Sequence, residues 1–193
     1  MRLINELADK LSNWPGIGDK KARRLAYFLI KQPERYTDDF AQMLLSLKEK
    51  VKTCSICFNY SLNPICEICN NPQRDKSIIC VVSDPKDIEH LELTKVFKGT
   101  YHVLHGYISI GEGITPKHIK LIELLKRMQE IDVSELILAF DDSSQAQDTT
   151  NYIKTILPDY KITKPATGLS IGTELDYADE KTLSQSIKQR TEI

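Results

Sequence analysis

The sequence predicts a multi-part α+β chain. Its parts are a helical N-terminal region built around a hairpin, a compact four-cysteine metal site, an α/β domain with a mainly parallel sheet, and a C-terminal strand and helix segment. Three observations predict this. Apolar residues recur at helical spacing through residues 1–52. Four cysteines fall as Cys54-x2-Cys57 and Cys66-x2-Cys69. From Ser77 onward, short β-rich runs alternate with helical runs. At 193 residues the chain can bury one medium domain or two or three small ones.

In the helical region, Leu3, Leu7 and Leu11 form a first stripe, Ala22, Leu25, Ala26 and Leu29 a second, and Phe40, Met43, Leu44, Leu47 and Val51 a third. Trp14-Pro15-Gly16-Ile17-Gly18-Asp19-Lys20 separates the first two helices. Pro15 ends the first helix, Gly16 and Gly18 permit a tight turn, and Asp19 is the expected N-cap of the next helix. Such a turn points backbone N–H groups at an anion beside a helix N-terminus. Lys20 and Arg24 lie one turn apart on one face, with Lys21 and Arg23 adding charge nearby. The run resembles the helix-hairpin-helix motif, which grips the phosphate backbone of DNA without reading its sequence. The candidate DNA contacts are therefore Gly16, Gly18, Lys20, Lys21, Arg23 and Arg24. The competing reading is an ordinary glycine-rich turn joined to a solvated basic face. No aromatic-rich stacking platform is evident, so sequence-specific readout of single-stranded bases is not expected.

Two Cys-x-x-Cys bites complete a tetrahedral zinc shell, and Asn59, Asn63 and Pro64 between the pairs suit tight turns. Cys54, Cys57, Cys66 and Cys69 are thus the expected ligands of one structural zinc ion, with two disulfides or unrelated thiols as the alternatives. The N-terminus lacks the apolar run of a signal peptide, and no stretch approaches a membrane span of roughly 20 residues. A cytoplasmic, reducing compartment follows as the expectation and argues against disulfides. The fifth cysteine, Cys80, lies in an apolar run and is expected to be a core residue.

In the α/β part, Ser77–Val82, Tyr101–Leu104 and Glu135–Phe140 are the predicted strands, with Lys161–Ala166 as a further candidate. Residues 87–97, 116–130 and 144–157 have helical spacing, and a last helix is expected to start near Asp179. Carboxylates follow two strands, at Asp84 and at Asp141 and Asp142, where open α/β sheets bind ligands. They could hold Mg²⁺, but turn and helix-capping roles explain them more simply. There is no phosphate loop of the Gly-x4-Gly-Lys type, and Gly111-Glu112-Gly113 is a weak signal. The four histidines show no triad arrangement, and His105 reads best as a structural residue. Net charge is -1, yet residues 1–76 are net basic and residues 77–193 net acidic, which suggests different partners for the two ends or chance variation.

The order of parts resembles one family. The Pro-Gly-Ile-Gly hairpin, the four cysteines, Ile79-Cys-Val-Val82, residues 106–119 and the run Gly168–Ala178 are similar to the RecR family of bacterial recombination mediators, across essentially the whole chain. That resemblance implies a helix-hairpin-helix domain at 1–52, a zinc finger at 53–76, a Toprim-type α/β domain at 77–166 and a C-terminal segment at 167–193. It implies a ring-shaped homotetramer that clamps DNA, with RecO and, in some bacteria, RecF as partners. The implied task is loading RecA onto single-stranded DNA, with no bond-making chemistry. Lys20 and Arg24 match the family's basic positions. The chain departs from the pattern at Ser83, where a glutamate is usual, and at Gln145-Ala146-Gln147, where the family has Glu-Gly-Glu. Neutral side chains there weaken Mg²⁺ attraction and would alter charge complementarity toward RecO. A Mg²⁺-dependent nuclease or primase of Toprim type is the alternative function.

Overall fold

The computed structural model describes residues 1–169 and 172–189. Ser170 and Ile171 of the Gly168–Ala178 run, and residues 190–193 of the C-terminal segment, lie outside them. The chain divides into two compact units, Met1–Val51 and Lys52–Ile193.

The first unit holds α1 (Arg2–Ser12), α2 (Asp19–Lys31) and α3 (Glu34–Lys50). Ala8 and Leu11 of α1 pack on Ala22 and Ala26 of α2, with Ile4, Leu7 and Ile17 around them. Alanines at the crossing let the two backbones come close. The seam of α1 therefore runs Ile4, Leu7, Ala8, Leu11, whereas Leu3 is exposed. The chain reverses through Gly16 at φ +76°, a left-handed angle that glycine adopts without strain. Asp19 is not the N-cap. Gly18 takes that place with extended backbone, its carbonyl accepts the first helical hydrogen bond from Ala22 N–H at 3.0 Å, and Asp19 becomes the first helical residue. The stripe on α3 forms a helix as expected, but Phe40, Met43, Leu44 and Leu47 all remain exposed.

The second unit opens with a hairpin of β1 (Lys52–Thr53) and β2 (Tyr60–Ser61), followed by the short α4 (Glu67–Asn70). The α/β part then runs β3 (Asp75–Val82), α5 (Pro85–Leu93), β4 (Gly99–Val103), α6 (Leu121–Glu130), β5 (Glu135–Leu138), α7 (Ser144–Ile156) and β6 (Ile162–Thr163). Helix α8 (Glu180–Lys188) follows, capped by the Asp179 side chain. The four strands are all parallel, in the order β4-β3-β5-β6. Alternation along β3 divides the core. Ile79 and Val81 face α6 and α7 through Leu121, Leu124, Met128 and Ile153. Cys80 and Val82 face Ile88 and Leu91 of α5, together with Phe58 and Ile68 of the cysteine region. Burial pushes the Cys80 thiol up to about 12, so it stays a neutral core residue.

Local hydrogen bonds set the starts of two helices, and strands β3 (Asp75–Val82), β4 (Gly99–Val103) and β5 (Glu135–Leu138) differ by one or two residues at their ends from the expected runs. Helix α5 starts at Pro85, because Asp84 and Asp87 form a reciprocal capping box, and it ends at Leu93. Helix α6 starts at Leu121, because Thr115–His118 closes a turn in which Thr115 N–H donates to His118 Nδ1 at 2.9 Å. Strand β6 keeps only two residues of the Lys161–Ala166 run.

The cysteine region is sewn to the sheet at the outer edge of β4. Val103 N–H donates to the Cys57 carbonyl at 2.8 Å. His105, with φ +58°, places Nε2 2.8 Å from the Phe58 carbonyl. Arg74 pairs with Glu92 and also donates to the carbonyls of Phe97 and Gly99 at 3.2 and 3.3 Å, while Tyr101 Oη donates to Glu92 at 2.7 Å. Arg74→Ala leaves the partly buried Glu92 carboxylate without its cation, so urea unfolding is expected to show a loss of about 2 kcal/mol. An apolar double replacement, Arg74→Met with Glu92→Leu, is expected to recover most of it.

Candidate functional site

Two sets of residues have the geometry for binding. The first is the cysteine cluster. Cys54 and Cys57 flank the turn after β1, and Cys66 and Cys69 flank the start of α4. Their sulfurs all lie within 4.8 Å of one another, and all four residues are buried. Cys57 and Cys66 Sγ are 3.5 Å apart, too far for a disulfide and close to the edge of about 3.8 Å in a tetrahedron of metal–sulfur bonds. Backbone N–H groups already point at the sulfurs: Cys66 N–H at Cys54 Sγ (3.3 Å) and Cys69 N–H at Cys66 Sγ (3.5 Å). Such donors stabilise thiolate charge. Hydrogen bonds from Cys57 and then Cys69 hold the Cys66 thiol well below the usual thiol range, while hydrogen bonds with Cys66 and then Cys69 push Cys57 up. Metal binding requires thiolates, so uptake of an ion would release the protons that the cluster still carries. Arg127 adds a half-buried cation beside β4, donating to the Tyr101 carbonyl at 2.6 Å and to Thr100 Oγ1 at 2.7 Å. The residues present fit a tetrahedral thiophilic metal with no open position. Among the described residues this is the one group of three or more His, Cys, Asp or Glu side chains arranged to hold a metal.

The second set is on α2. Lys20, Lys21, Arg23 and Arg24 are all exposed, and Lys21 Nζ lies 3.5 Å from the Gly16 carbonyl. No side chain caps α2 at Gly18, which leaves its first-turn N–H groups available to an anion. Gly16 and Gly18 have nothing within 4 Å of where a Cβ would be, so the hairpin presents open backbone. Lys20, Arg23 and Arg24 share a surface depression of about 490 Å³ with Tyr27, Phe28 and Lys31. Two aromatic rings lie beside the cations. Tyr27 is 51 % and Phe28 47 % exposed, and the signal was available as the helical spacing 20, 24, 27, 31.

The carboxylates at the strand ends are occupied locally. Asp84 and Asp87 cap α5. Asp141 accepts from Ser143 N–H at 2.9 Å, and the Ser143 hydrogen bonds hold its carboxyl below the usual range. Ser143 in turn caps α7. Gln147 Nε2 donates to the Asp142 carbonyl at 3.1 Å, and Gln145 accepts from the Ser144 hydroxyl. Asp141 and Asp142 do border a depression of about 420 Å³ beyond the ends of β5 and β6, which they share with Lys154 and Lys164. The histidines are engaged structurally. His90 and His118 bond within their own turns, His105 holds Phe58, and buried His102 places Nε2 2.8 Å from the Lys120 carbonyl.

Comparison with known proteins gives three family matches. "RecR, helix-hairpin-helix" covers residues 4–48, "Toprim domain" 77–165 and "RecR, C-terminal" 168–191. Full-length relatives carry the name "Recombination protein RecR". That of Thermosynechococcus vestitus is 46% identical over 100% of this chain and 96% of its own length. That of Synechocystis sp. is 44% identical over 98% and 82%. That of Dehalococcoides mccartyi is 41% identical over 97% and 93%. No described helix is long and apolar enough to cross a membrane.

Titration with Co²⁺ under reducing conditions is expected to develop a thiolate charge-transfer band that saturates at about one ion per chain. The Cys57→Ser/Cys66→Ser variant is expected to lose it. Saturation at two ions, or no band, would contradict a single tetrahedral site.

Proposed function

The chain belongs to the RecR family, and from that premise we propose that it is a recombination mediator in DNA repair, a ring clamp that holds DNA without reading its sequence. The observation that carries the reading is the exposed cationic face of α2, which follows an uncapped, open glycine hairpin. In this reading Lys20 and Arg24 are the principal phosphate contacts, Lys21 and Arg23 add to the field, and Gly16 and Gly18 let the backbone approach the phosphates. Binding of this kind is sequence-independent and weakens steeply with salt.

The clamp is a homotetramer. The apolar stripe of α3 supports self-association, since it would otherwise stay in water. Several weak hairpins acting together gain avidity that no single one has. RecO, and in some bacteria RecF, are the protein partners, and the outcome is RecA loading onto single-stranded DNA. The working compartment is the cytoplasm. The metal is zinc, one per chain, and its role is structural, because four thiolates leave no position for water. The parts act as a helix-hairpin-helix domain (1–52), a zinc finger (53–76), a Toprim-like domain (77–166) and a C-terminal segment (167–193).

A Mg²⁺-dependent Toprim enzyme is the second reading, favoured only by the fold and the strand-end carboxylates. Against it, Ser83, Gln145 and Gln147 supply no charge, and Asp84 and Asp141 are engaged in caps and turns. Incubation of labelled DNA with protein and Mg²⁺ is expected to leave the DNA intact. Cleavage that is lost in Asp141→Ala would reverse the assignment.

Lys20→Ala/Arg24→Ala is expected to weaken duplex binding at least about tenfold, with sedimentation unchanged. Undiminished binding would move the contact elsewhere.

A further inference from the structure

Helix α2 carries more than cations. Lys20, Arg24, Tyr27 and Lys31 follow one another at spacings of four, three and four, which places them in one narrow stripe along the helix. The stripe extends over about 16 Å of helix axis. It faces away from Ala22 and Ala26, which are fully buried against α1. Tyr27 is therefore held out by the same packing that builds the unit, and it sits between two cations on one side and a third on the other. Phe28 borders the same depression and is braced edge-on by Tyr36, with ring centroids 6.2 Å apart.

Phosphate contact alone does not need this arrangement. In a duplex the bases stack on each other, so an aromatic ring set among phosphate-binding cations finds only sugar and phosphate. An unpaired strand offers a base face for every phosphate, and a ring flanked by cations matches that alternation. We propose that Tyr27 is a stacking shelf for an unpaired base, with Phe28 as its flank, so that this face of α2 prefers single-stranded DNA over duplex. The inference rests on the reading of α2 as the DNA-contacting face and adds the class of strand that it takes. Stacking is indifferent to base identity, so the preference is for strandedness and not for sequence.

The test is fluorescence anisotropy with an oligo-dT strand and a duplex of equal length, using full-length protein. Tyr27→Ala is expected to weaken single-strand binding about 5- to 100-fold while changing duplex binding less than about twofold. Tyr27→Trp, which keeps an aromatic face, is expected to restore single-strand binding. A 2-aminopurine base in the strand is expected to change emission on binding to wild type and not to Tyr27→Ala. Equal loss on both DNAs, no loss on the single strand, or a fall in sedimenting mass in Tyr27→Ala would overturn the shelf. The last outcome would make Tyr27 part of a contact between copies. Failure of the underlying reading is distinguishable, because there the Lys20→Ala/Arg24→Ala protein would keep its duplex affinity.

Discussion

The crossing of α1 and α2 over Ala8, Ala22 and Ala26 is the constraint on which the N-terminal unit depends. Two helices joined by six residues pack closely only where the side chains between them are small. With the alanines committed to the seam, the opposite side of α2 has no neighbour to bury it in this unit. Every charge on that side is then held in water, close to the open glycine backbone at 16 and 18. The packing seam and the cationic face are thus two sides of one helix. A bulkier residue at 22 or 26 would disturb both by forcing the helices apart.

The second unit solves a different problem. A run of about twenty residues with two short strands and one turn of helix cannot bury a core of its own. Four buried cysteines placed to share one metal ion supply its interior, and the edge of β4 gives it an anchor. The Cys57 carbonyl satisfies Val103, His105 reaches back to Phe58, and Arg74 joins Glu92 and the start of β4. The same contacts cover part of a sheet edge that would otherwise be open to pairing with another chain. The carboxylates beyond β3 and β5 serve as caps and turn acceptors, which is a sufficient account of their positions.

Much of this was legible in the sequence because it depends on short-range spacing. The two Cys-x-x-Cys pairs, the Gly16 and Gly18 turn, the buried run around Cys80 and the alternation of strand and helix each declare themselves within a dozen residues. Misplaced features depend on partners or on competition between neighbours. Gly18 displaced Asp19 as the cap because its own backbone was already extended. Leu3 reads as core until Ile4 and Ala8 are found facing α2. Val96 looks helical but lies past the end of α5 and is exposed. The docking of the cysteine region onto β4 joins residues more than forty apart, so no local pattern announces it. For Tyr27 the spacing 20, 24, 27, 31 marks a common face with the cations, but aromatic residues inside a helix are normally core, and the burial of Ala22 and Ala26 is what shows that this face points outward.

The central claim is that charge on α2 holds DNA, and the salt dependence of duplex affinity tests it most directly. If four copies each place Lys20 and Arg24 on phosphates, the logarithm of the binding constant should fall with the logarithm of salt concentration at a slope of about -7. A slope near zero in the wild-type protein would contradict the account.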